Sequence, residues 1–149
     1  MSAKVGSRRA FITMQFGDEN LNRVYENCFK TATLAAGFTL FRLDEGQGAG
    51  LIDDQLLVAI RTSKFLIADL SLGNRGAYWE AGFAEGLSRP VICVCEKSVW
   101  GSNEQKPHFD TAHLNTVVWS YDDLPSANRR LTAMIRNTFP ADAKLTDDD

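Results

Sequence analysis

Five short apolar runs alternate along this chain with segments of helical period. The runs are AFITMQF (Ala10 to Phe16), FTLFRL (Phe38 to Leu43), FLIADL (Phe65 to Leu70), VICVC (Val91 to Cys95) and TVVWSY (Thr116 to Tyr121). Most are apolar at successive positions rather than at every second one, which suits strands covered on both faces. Between the first two runs, Leu21, Val24, Tyr25, Cys28, Ala32 and Ala35 recur at helical spacing, and Gly37 closes that helix. Ile52, Leu56, Ala59 and Ile60 share one face of a second helix. A third helix is predicted from Ala77 to Leu87, with Pro90 just beyond its end, and a fourth over LPSANRRLTAMIRNTF, with Pro125 in its first turn. Strands that alternate with helices in this way imply an α/β fold. The expected architecture is a flavodoxin-like three-layer sandwich: a five-stranded parallel sheet of order 2-1-3-4-5 with helices on both faces.

The 149 residues suit one domain, expected over residues 1–140, with the acidic ADAKLTDDD (141–149) as a disordered tail. No internal repeat or second domain is visible. Apolar residues make up 44% and charged residues 23%, within the range of soluble globular proteins. The net charge of -3 argues against nucleic acid as the main partner, because tracking phosphates makes a small domain basic. No apolar run approaches the ~18 residues of a membrane span, and MSAKVGSRR opens no signal peptide. Cys28, Cys93 and Cys95 cannot all pair, and the two-residue spacing in VICVC lacks the turn of a metal-binding CxxC. They read as buried reduced thiols of a cytoplasmic protein.

In an open parallel sheet, ligands bind at the carboxyl ends of the strands. That edge collects Gln15, Phe16, Gly17 and Asp18 after the first strand, and the glycine-rich DEGQGAG with Asp53 and Asp54 after the second. Asp69 to Glu80 follow the third strand, and a long polar loop, Trp100 to Ala112, follows the fourth. Glu80 lies in GNRGAYWEAGFAEG (Gly73 to Gly86), beside Tyr78 and Trp79, which can stack on a flat ring. A carboxylate in a first helical turn also complements the helix dipole. Ala81, Gly82, Ala84 and Gly86 are expected to let this helix press against the sheet. Asp53 and Asp54 open the second helix, across the crevice from Glu80. Two carboxylates facing one cleft can divide labour, one ionised and one protonated. Asp69 can instead bond to backbone N–H groups of the SLGNRG turn, and Asn74 can act as a turn or cap residue.

His108 and His113 are too isolated for a metal site, and neither a P-loop nor a GxGxxG fingerprint is present. No metal or cofactor is called for. A phospho-acceptor receiver would also end its third strand on an aspartate. It prefers an acidic pair directly after the first strand and a lysine after the fifth. Here Gly17 precedes Asp18 and Glu19, and Asp122 and Asp123 follow the fifth strand.

FITMQFG, Tyr25, FRLDEG, FLIADLS..N...YWEAGFAEGLSRPVI and HFDTAHLNTVVW together resemble the nucleoside 2-deoxyribosyltransferase-like group, which is close in fold to bacterial TIR-like domains. The resemblance runs from Phe11 to Trp119. It implies an enzyme of N-glycosidic bonds, hydrolase or deoxyribosyltransferase, in which Glu80 acts at C1′ of the sugar. The acid at the start of the second helix falls on Asp54, with Asp53 next to it. Asn74 falls where the sugar hydroxyls are held, a position at which the deoxyribosyltransferases carry an acid. Gln15 stands where MPFG has proline. The SLGNRG loop can take a 5′-phosphate on its N–H groups. Gln15, Phe16, Gly17, Asp53, Asp69, Asn74, Tyr78 and Trp79 are the expected substrate contacts. The implied partner is a nucleoside, nucleotide or NAD, bound by a homo-oligomer whose subunits complete one another's pockets. Two alternatives stand beside this reading: a TIR-like NAD glycohydrolase of a defence system, and a non-catalytic nucleotide-sensing module.

Overall fold

The computed structural model describes residues 7–15, 17–42, 52–71, 75–102 and 116–147; at 52–54, 75 and 76 it describes the helical backbone alone. Five strands form one sheet: β1 (Arg9–Thr13), β2 (Thr39–Arg42), β3 (Phe65–Asp69), β4 (Val91–Glu96) and β5 (Thr116–Trp119). All neighbouring pairs are parallel, and the order is β2-β1-β3-β4-β5, as the sequence pattern predicts. The helices are α1 (Glu19–Val24), α2 (Lys30–Ala35), α3 (Ile52–Thr62), α4 (Arg75–Gly86), α5 (Lys97–Trp100) and α6 (Leu124–Thr138). The four-residue α5 ends on Trp100, the first residue of the segment that the sequence reads as a long loop; residues 103–115 lie outside the described residues. Among the described residues no helix is long and apolar enough to cross a membrane.

Strand alternation divides the core in two. Ala10, Ile12, Phe65, Ile67, Ile92, Val94, Val117 and Trp119 face α1, α2 and α6. Phe11, Leu66, Ala68, Val91 and Cys93 face α3 and α4. Both faces are therefore dry, which is why the strands carry so few polar residues. Burial pushes the pKa of Cys28, Cys93 and Cys95 up to about 12, so all three are inert thiols at neutral pH.

α1 and α2 are joined by a π-helical turn, Tyr25–Phe29. Such a turn frees carbonyls from the regular ladder. The Cys28 carbonyl accepts from Asn128 Nδ2 on α6 at 3.2 Å and from the Thr31 hydroxyl at 3.1 Å. The turn brings Phe29 edge-on to Trp119, with ring centroids 6.0 Å apart.

The carboxyl-terminal segment departs from expectation. In place of a disordered tail, the chain as far as Asp147 folds back over α2 and α6. Lys144 N–H donates to Ala36 O at 2.8 Å, and Arg136 Nε donates to Lys144 O at 2.7 Å. Asp142 pairs with Lys64 at 3.2 Å, and Ala143 packs on the core. The acidic composition suggested solvation, but these acids have basic partners and their backbone closes the open end of α2. Gly37 shows how close the approach is. Its φ is +92°, and a Cβ there would lie 3.1 Å from Lys144 N.

Candidate active site

The strand order reverses between β1 and β3, so the crevice at the carboxyl end of the sheet opens between the loops that follow them. On the β1 side, Gln15 is exposed and Gly17 turns the chain at φ +88°; Phe16 lies outside the described residues. Asp18 then caps α1, accepting from the N–H groups of Asn20 at 2.8 Å and Leu21 at 3.1 Å.

Glu80 belongs to α4. The helix begins at Arg75, two residues earlier than the sequence suggests, and its first turn carries no acid. Glu80 is the sixth helical residue, beyond the reach of most of the dipole field. The dipole explanation of its charge is weakened accordingly. Ala77, Ala81 and Ala84 are buried against the sheet and bring the helix close. Gly82 and Gly86 play no part in that seating. Both are exposed, and a Cβ on either would meet nothing within 4 Å. The expectation that these glycines seat the helix is therefore corrected. Their phase on the helix points them away from the sheet.

Glu80 is half-buried, and its Oε2 is buried without a hydrogen-bond partner among the described residues. Burial raises its pKa above the ordinary glutamate value, while the side chain of Thr13 works in the opposite direction. Thr13 is the last residue of β1, on the same face as Phe11. A carboxylate kept partly dry, with one oxygen unsatisfied, differs from a solvated surface charge.

Of the aromatics beside it, Tyr78 packs half-buried against the α3–α4 side of the core. Trp79 is 59% exposed and stacks on Phe83, with centroids 5.7 Å apart and an 11° interplanar angle. Helical spacing puts Trp79 on the outward side of α4, whereas Tyr78 and Glu80 flank its buried stripe. Asp53 and Asp54 stand in the first turn of α3, at the same edge of the sheet; their side chains, and Asn74, lie outside the described residues. Among the described residues, no group of three or more His, Cys, Asp or Glu is arranged to hold a metal ion.

Asp69 faces the opposite side of the sheet from Glu80. It is 2% exposed, and its Oδ1 accepts from Ser71 N–H at 3.1 Å and from the Ser71 hydroxyl at 2.7 Å. Burial pushes its pKa up to about 6, offset in part by the Ser71 bonds. The indole N–H of the buried Trp119 also favours the charged form, yet it falls outside hydrogen-bond geometry and has no partner among the described residues. Tyr121 stands edge-on to Trp119 at 5.0 Å. Its pKa is raised by burial first, then by the charges of Asp18, Glu96 and Asp69.

No family model matches this sequence, and no curated protein matches it either. Solved structures do. The CMP N-glycosidase BcmB of Clostridium botulinum superposes with a TM-score of 0.56 at 13% identity, over 85% of this chain and 98% of that one. A 2-deoxyribosyltransferase of Leishmania mexicana gives a TM-score of 0.58 at 18% identity, over 85% and 97% of the two chains. The fold is nucleoside 2-deoxyribosyltransferase-like.

Within this nucleoside 2-deoxyribosyltransferase-like fold, three residues at the crevice escaped the sequence reading. Thr13 looked like one more strand residue, and only its register on β1 shows that it meets α4. Gln55 on α3 holds a buried Oε1 without a partner among the described residues, the same feature as Glu80. Ser71 looked like an ordinary turn residue. The strict alternation of faces, counted forward from Phe11, was the one signal that could have picked out Thr13.

Proposed function

We propose that this protein cleaves or transfers the N-glycosidic bond of a nucleoside or nucleotide. The observation that carries the reading is Glu80: a half-buried carboxylate with one unpartnered oxygen, set at the crevice where this fold binds ligands. The named activities of the two structural neighbours, CMP N-glycosidase and 2-deoxyribosyltransferase, support the same class of chemistry.

In this reading the ionised Glu80 attacks C1′ of the sugar, or holds the cationic sugar that forms there. The C1′–N bond breaks with its electron pair going to the base, which takes a proton from Asp54 or its neighbour Asp53. Water, or an N–H nitrogen of a second base, then gives a proton back to that aspartate, bonds to C1′ and frees Glu80. The side chain of Thr13 offsets part of the cost that burial imposes on the ionised carboxylate. Gln15, Phe16 and Gly17 shape the β1 side of the pocket, Asn74 meets the sugar hydroxyls, and Tyr78 and Trp79 provide aromatic surface. A second copy of the chain completes the pocket.

The test is base release from CMP, from 2′-deoxynucleosides and from NAD, followed by chromatography with and without Glu80→Gln. Release of a free base, reduced at least a hundredfold in Glu80→Gln, is expected. Release from NAD alone would favour the glycohydrolase reading. Saturable binding without release would favour a sensing module, and neither binding nor release would overturn the proposal.

A further inference from the structure

Asp69 ends β3 as the last ladder partner on that strand, paired with Val94 of β4. Beyond that pair the backbone ladder gives way to side chains. Ser71 donates both its N–H and its hydroxyl to Asp69 Oδ1. The same Ser71 Oγ accepts the N–H of Glu96 at 2.8 Å, two residues past Val94. Glu96 in turn caps α5, accepting from Ser98 N–H at 2.9 Å and Val99 N–H at 3.3 Å. One continuous chain of bonds thus ties the start of the β3–α4 loop to the start of the β4–β5 connection. Both segments start at the carboxyl edge of the sheet, and the first leads into the helix that carries Glu80.

The charge of Asp69 does not face the ligand side. Glu80 and Thr13 lie on the α3–α4 side of the sheet, and Asp69 lies on the other with Trp119. The carboxyl is nine-tenths or more buried, and its bonded oxygen is committed to Ser71.

We infer that Asp69 is a positioning residue rather than a substrate ligand: through Ser71 and Glu96 it ties the start of the β3–α4 loop to the start of the β4–β5 connection, and so fixes where the chain leaves β3 on its way to the helix that carries Glu80. The catalytic half of this inference rests on the glycosidase reading above; the architectural half does not.

The distinction lies in what Asp69 must supply. A positioning role needs an acceptor oxygen at Oδ1, which asparagine also offers. A substrate contact or proton transfer needs the charge. Asp69→Ala and Ser71→Ala are expected to lower kcat at least tenfold with KM changed less than threefold. Asp69→Asn and Ser71→Thr, which keep the acceptor and the hydroxyl, should stay within about fivefold of the parent. Because a broken network is shared, the Asp69→Ala/Ser71→Ala double variant should be little worse than either single change. An Asp69→Asn variant as impaired as Asp69→Ala, or a normal kcat in Ser71→Ala, overturns the inference. Amide hydrogen exchange gives a readout independent of substrate. Ser71→Ala should expose the Glu96 N–H, and Asp69→Ala the Ser71 N–H, with exchange at least tenfold faster. Unchanged exchange at both amides overturns the network whatever the activity. Absence of base release by the unmodified protein would instead sink the glycosidase reading, and exchange would still decide the network. If Asp69→Ala fails to fold, the Ser71 pair carries the test.

Discussion

Thr13 and Glu80 meet where the last residue of β1 packs against α4, and the Thr13 side chain lowers the Glu80 pKa that burial raises. Thr13→Val keeps the shape and removes the donor, so the Glu80 pKa rises further. Sign follows directly. A higher pKa leaves less carboxylate at a given pH, so the acid limb of the activity profile moves to higher pH. A loss of about tenfold in kcat/KM on that limb corresponds to ~1.4 kcal/mol, in the range of a hydrogen bond to a charged group. Thr13→Ser should restore the parent profile. Overlapping pH–rate curves for the parent and Thr13→Val would remove Thr13 from the site.

Asp69 should make stability depend on pH in an uncommon direction. Its folded pKa is raised from 3.8 to about 6, so between those values the folded protein binds more protons than the unfolded chain. Stability from this group is gained as pH falls from above 6 towards 4, and lost as pH rises. The shift corresponds to roughly 3 kcal/mol at most. Asp69→Asn, which is neutral at every pH, is expected to melt at a higher temperature than the parent at pH 7.5 and to lose that advantage at pH 4.5. Parallel melting curves across this range would show that Asp69 is not titrating there.

Gly82 offers an independent check on the seating of α4. It sits inside the helix, and an added Cβ would meet nothing within 4 Å. Gly82→Ala should therefore stabilise the protein by ~0.5–1 kcal/mol, the helix-propensity difference, with no packing penalty. Denaturant unfolding reads this directly. A destabilised variant would mean that α4 turns this position towards a partner.

The carboxyl-terminal segment should matter more than its composition suggests. Ending the chain after Pro140 removes the Lys144–Ala36 and Arg136–Lys144 bonds, the Lys64–Asp142 pair and the packing of Ala143. A loss of about 2–4 kcal/mol is expected, or roughly 5–15 °C in melting temperature. A truncated protein with an unchanged melting temperature would restore the view of this segment as a loose tail.

Much of the fold was legible because its signals are local. Runs such as FLIAD and VICVC are apolar at consecutive positions, and only a sheet covered on both faces uses strands like that. Gly37 and Pro90 marked helix ends, and Pro125 a helix start. The place of Glu80 at the carboxyl edge of the sheet was legible too, because it follows the third strand. The role of the tail was not, because Asp142 reads as a solvated acid until Lys64 stands beside it. The exposure of Trp79 was equally hidden, since the side of α4 on which it falls depends on where that helix packs.

What the sequence by itself determined is the order of strands and helices, the parallel sheet they build, and the edge at which ligands gather. Periodicity and turn chemistry are properties of short segments, and they survive without knowledge of neighbours. Tertiary structure alone decided which way each side chain at that edge points. α4 begins at Arg75, and that start sets its phase: Ala77, Ala81 and Ala84 inward, Gly82 and Trp79 outward, Glu80 at the seam with Thr13. Strand register placed Asp69 on the far face with Trp119. The desolvation that raises both carboxyl pKa values depends on atoms brought in from distant strands and helices, and no short stretch of sequence contains them.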